Sequence, residues 1–169
     1  RRSSDLLTHY ASSIASKIAN ERLGELTQKA NPPFIGASFH NGSFMGTQTK
    51  EALQIGAVIK DNQFELGFKT ILREMERINR HGFTESEYER AKVWFLNAYE
   101  NAYNERNNIY NNRYAQEYVS HFTTGSYIPG VEMEYQLANQ LAPSIPISMI
   151  NQYIQDMMGD TNIVITMQG

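Results

Sequence analysis

Four histidines, His9, His40, His81 and His121, are the side chains best suited to hold a metal or move a proton near neutral pH. No two lie within five residues of each other. The metallopeptidase motifs H-E-x-x-H and H-x-x-E-H need two histidines on one helical face, because successive turns must reach one ion. Neither motif is present. The absence of cysteine excludes thiolate metal sites, disulfides and a cysteine nucleophile. The run "GASFHNGSFMG" (36–46) holds Ser, Gly and His but lacks G-x-S-x-G. It also lacks the lysine-bearing end of a phosphate loop, and no helix starts directly after it. Its glycines suit bulges and close approach in a strand pair. "YNERNNIYNNRY" (103–114) could bind a polar ligand, but reads more simply as a solvated helix face.

The densest cluster of reactive side chains is "RINRHGFTESEYERAK" (77–92). It is either a catalytic cluster or the joint between two helices, and the joint explains every residue. Gly82 can end a helix in the left-handed conformation. Thr84 then caps a new helix, and Glu87 can reach back to the Thr84 amide, a capping box. Phe83 and Tyr88 can form the hydrophobic staple across it. The glutamates fall in the first turn and His81 in the last turn of the preceding helix, where the helix dipole favours each.

The surrounding elements follow from periodicity. Leu7, Tyr10, Ile14 and Ile18 predict a helix over about 5–28, capped by Ser3 or Ser4 and stopped by "NPPF" (31–34). Two short Gly-interrupted segments, about 34–45 and 52–60, predict strands joined by the turn "GTQTK" (46–50). Phe64, Phe68, Ile71, Leu72, Met75 and Ile78 mark a second helix beginning near Asp61. A long helix starts at Glu85 and can run to about His121, with a kink or wet face at the Asn-rich stretch 104–114, since Asn competes with helix. Helices over 132–141 and from Pro146 to Gly159 follow, then a buried strand in "TNIVITMQG" (161–169). The order α-β-β-α-α-α-α-β predicts an α+β domain: an antiparallel sheet of a few strands packed on one face by several helices. A three-stranded sheet leaves exposed edges, so a first strand is expected from outside these residues.

The totals bound the class. One domain's worth of chain, 169 residues, can bury a real core. A net charge of −3 gives no electrostatic footprint for nucleic acid. No apolar run approaches the length of a membrane span. The first residues, "RRSSDLL", carry no signal peptide and read as part of a longer polypeptide.

Three blocks resemble a known family: "LLTHYASSIASKIANERLGELTQKANPPFIGASF", "HGFTESEYERAKVWFLNAYEN" and "YQLANQLAPSIPISMINQYIQDMMGDTNIVITMQG". In order and spacing they look like the non-catalytic, C-terminal-type domain of the pitrilysin/insulinase zinc metallopeptidases. The "NERL…PPF" form is most similar to the second domain of a large bacterial, periplasmic member. The resemblance implies a processing-peptidase-like domain of a clamshell that closes around an unfolded peptide. Zinc is then expected in a neighbouring domain bearing H-x-x-E-H, with no cofactor and no metal ligand in this chain. The expected partners are other domains of the same polypeptide and a peptide substrate, with no nucleic acid and no membrane span, in the periplasm or cell envelope. By motif position, Arg22 and Phe34 correspond to an Arg and a Tyr that help position substrate in the family's last domain. Phe departs from Tyr there, and a pairing of Arg22 with Glu21 or Glu25 at an exposed helix end is the plainer account. Two functions stand open: a silent wall domain of a zinc endopeptidase, or a binding module of a peptidase-like protein with no active zinc site.

Overall fold

The computed structural model describes residues 2–43, 51–108, 111–125, 128–159 and 163–167. Helix α1 (Arg2–Thr27) is the axle of the molecule. Tyr10, Ala11, Ile14, Ala15, Ile18, Ala19 and Leu23 are all buried. Alanine beside isoleucine leaves room for neighbours on more than one side, and α1 packs against β1, α3 and α6. Ser3 and Ser4 lie inside α1, so neither is its cap.

Strands β1 (Gly36–Ser43) and β2 (Glu51–Val58) form an antiparallel pair in the register Phe39 opposite Ile55 and His40 opposite Gln54. The expected connecting turn, 46–50, lies outside the described residues. Strand alternation sends Ala37 and Phe39, with Leu53, Ile55 and Ala57, into the core. Ser38, His40, Gln54, Gly56 and Val58 point the other way and are exposed.

Helix α2 (Phe64–His81) ends at Gly82, whose φ of 64° is the positive-φ stop that the sequence predicts. A Cβ there would sit 2.4 Å from the Asn151 side chain. Thr84 and Glu87 form the capping box of α3 (Glu85–Asn104). The long helix expected from Glu85 breaks in the Asn-rich stretch: a 3-10 turn (Arg106–Asn108) precedes α4 (Asn111–Thr124). Helix α5 (Val131–Leu141), a second 3-10 turn (Ala142–Ser144) and α6 (Ile147–Met157) complete the helical layer.

The expected terminal strand is absent among the described residues of that segment. Residues 163–167 adopt no strand, and Ile163, Val164, Ile165 and Met167 are exposed. β-branched residues fit a pleated surface, but a strand exists only where another offers its backbone groups. The described residues therefore make an α+β domain of one two-stranded sheet and six helices.

Candidate functional site

Arg22, on the last turns of α1, is 6% exposed and joins three helices. Its Nε and Nη2 donate to Glu87 Oε1 and Oε2 at 2.6 and 2.8 Å, the two-pronged geometry that the planar guanidinium favours. Nη1 donates to Glu74 Oε1 at 3.3 Å, and Nη2 to the Gly82 carbonyl at 3.2 Å. The Phe83 ring lies 5.3 Å from the guanidinium carbon. Four contacts thus draw on the five N–H groups of the side chain. The expected pairing of Arg22 with Glu21 or Glu25 near the helix end does not occur. Glu21 binds Lys17 at 3.1 Å instead, and Arg22 turns inward to α2 and α3.

Glu87 serves the cap and the cluster together. Its Oε2 also accepts from the Thr84 amide at 2.7 Å and the Thr84 hydroxyl at 2.8 Å. Burial by itself would raise the Glu87 pKa. The Arg22 hydrogen bonds, the Thr84 donors and the Arg22 charge outweigh it and bring it down to about 2. Burial likewise opposes the charge on Arg22, and Glu87 and Glu74 more than restore it.

A second buried polar chain lies nearby. Tyr88 OH donates to the Ile145 carbonyl at 2.6 Å, which leaves its oxygen to accept from Tyr10 OH at 3.1 Å. Burial first, and then this hydrogen bond, raises the Tyr10 pKa, so the phenol stays protonated. Phe95 meets the Tyr10 ring edge to face at 4.8 Å.

Phe34 is fully buried in the core. Any peptide contact by Arg22 or Phe34 would require the side chain to leave its present surroundings. Glu74 was the partner least visible from the sequence. It shares a face with Ile71 and Ile78, three residues after one and four before the other. A carboxylate on a buried helical face calls for a distant cation, and that spacing was the available signal. The four histidines sit on α1, β1, α2 and α4. Among the described residues, no three His, Asp or Glu side chains come close enough to hold a metal ion.

The other candidate surface is the outer face of the sheet. Ser38, His40 and Gln54 stand there among Gly36, Gly42 and Gly56. It carries no Asp, Glu, Lys or Arg, and its side chains can donate and accept hydrogen bonds.

Two solved structures share this architecture. The crystal structure of the periplasmic protease PqqL from Escherichia coli superposes with a TM-score of 0.82 and 17% identity, over 91% of this chain and 17% of that one. The crystal structure of the first half of the same protease gives the same TM-score and identity, over 91% of this chain and 33% of that one. The likeness shows the fold: the chain is built like a domain within the first half of a periplasmic protease, and it spans a small part of that protein's length. No protein-family model matches the sequence. No curated protein matches it either. Among the described residues, no helix is long and apolar enough to cross a membrane.

Proposed function

We propose that this chain is a catalytically silent domain of a pitrilysin/insulinase-type zinc endopeptidase. It forms part of the wall around an unfolded peptide and a surface against neighbouring domains of the same polypeptide, in a bacterial periplasm or cell envelope. Zinc and the water-activating glutamate belong to another domain.

The observation that carries this reading is the one-sided sheet, in a fold shared with a domain of a periplasmic protease. The helices cover one face. The other presents Ser38, His40 and Gln54 between glycines. A wall that must tolerate many peptide sequences needs this kind of surface: hydrogen-bonding groups on a shallow floor, with no deep pocket to select one side chain. The buried Arg22 cluster gives the wall stiffness, since it binds α1 to α2 and α3 behind the sheet. In this reading Arg22 and Phe34 position peptide indirectly, by fixing the frame that carries β1.

The test is a double substitution on the outer face, Ser38→Trp with Gln54→Trp, in the longer polypeptide. Peptide cleavage is expected to slow several-fold with zinc content and thermal stability unchanged. Unaltered kcat/KM across peptides of different length would show that this face does not look into the chamber. A parent polypeptide with no H-x-x-E-H and no zinc would instead indicate a binding module.

A further inference from the structure

A strand edge presents a row of unpaired N–H and C=O groups that recruits other strands, and folded proteins have to blunt it. β2 covers one edge of β1. On the other edge, Asn20 reaches over from α1. Its Nδ2 donates to the Phe39 carbonyl at 2.8 Å, and its Oδ1 accepts from the Phe39 N–H at 2.9 Å. A carboxamide carries the same donor and acceptor as a peptide group. Asn20 therefore fills the place that one residue of a third strand would take. A further donation from Nδ2 to the Ser16 carbonyl at 2.8 Å holds the side chain in that orientation. Two residues along the strand, the Asn41 side chain donates to Tyr153 OH at 2.6 Å and Ser12 Oγ at 3.3 Å, which ties β1 to α6 and α1.

The same chain carries a segment able to exploit an open edge. Ile163, Val164, Ile165 and Met167 are 70, 80, 56 and 67% exposed, and residues 163–167 include no charge and no proline. High β-propensity without charge is the composition that pairs with exposed edges. We propose that Asn20 guards the outer edge of β1, and that the strand it excludes is the Ile163–Met167 segment of a second copy of this chain. The inference stands apart from the proposed function, because it concerns self-association and needs neither zinc nor a peptide substrate.

The experiment is light scattering on the full 169-residue chain over a concentration series, with amide exchange read at Phe39. Replacing Asn20 by Ala removes both hydrogen bonds. The variant is expected to dimerise at least tenfold more tightly than the wild type, with the Phe39 amide protected only in the dimer. Adding Ile165→Lys is expected to restore the monomer, since charge opposes edge pairing. Asn20→Asp keeps the acceptor and adds a charge, so it is expected to remain monomeric. Should Asn20→Ala lose its fold by circular dichroism, Asn20→Ser, too short to span both groups, takes its place. A folded Ala or Ser variant that stays monomeric with a freely exchanging Phe39 amide overturns the proposal. So does a dimer that survives Ile165→Lys, which would assign another occupant to the edge.

Discussion

Replacing Arg22 by Ala should be the most damaging single change to a charged side chain in this molecule. Glu74 is 8% exposed, and the Glu87 side chain is 15% exposed. Without the guanidinium, Glu74 keeps only the exposed Arg77 at 3.5 Å, and Glu87 keeps only its cap. Breaking a buried pair in this way costs about 3–5 kcal/mol, against a total stability of roughly 5–15 kcal/mol for a domain. The pH dependence identifies the cause. Glu87 drops from an ordinary value of 4.5 to about 2 in the folded chain. A depressed acid stabilises the fold above its unfolded pKa, and that stability is lost as pH falls through the folded value. The wild type should therefore shed up to about 3 kcal/mol from this group as pH falls from about 4.5 to 2, of which roughly 2 kcal/mol is lost by pH 3. Urea unfolding at pH 7 and at pH 3 measures both quantities. Arg22→Ala is expected to lose most at pH 7, with a smaller gap from wild type at pH 3. A double-mutant cycle with Glu87→Gln should return a coupling above about 1 kcal/mol. A loss below about 1 kcal/mol at pH 7, the size of an exposed pair, would refute the buried-cluster reasoning.

Three further outcomes follow from the same neighbourhood. Tyr88→Phe leaves the Ile145 carbonyl and the Tyr10 hydroxyl without their shared partner, and should cost about 1–3 kcal/mol by chemical denaturation. Gly82→Ala places a methyl against Asn151 at positive φ, so its melting temperature should fall well beyond that of a Gly→Ala change at the open position Gly24. Thr84→Ala removes the cap of α3 and one of the donors holding Glu87. It should cost about 1 kcal/mol, and the Glu87 carboxyl resonance should titrate at higher pH than in the wild type.

The sequence disclosed the parts whose causes are local. The Gly82 stop, the Thr84–Glu87 box and the break near Asn104 depend on residues a few positions apart, so spacing alone reveals them. Arg22 departs from the local expectation because its partners lie 52 and 65 residues away. Glu25, three residues on, is the local carboxylate that helical spacing offers, and only the packing of α1 on α2 and α3 decides between near and distant carboxylates. The β-branched residues of 161–169 predict a strand. Side chains can favour a strand, but they do not supply the neighbouring backbone that makes one. The bare outer face of the sheet could not be seen at all without the register of β1 against β2, since a one-residue slip would exchange its two faces.

Zinc stoichiometry tests the central claim most directly. The 169-residue chain, equilibrated with excess zinc, freed of unbound metal by gel filtration and measured by elemental mass spectrometry, is expected to retain far less than one zinc per chain. One tightly held zinc per chain, lost on substitution of any of its histidines, would contradict the reading of a domain that encloses chemistry carried out by its neighbour.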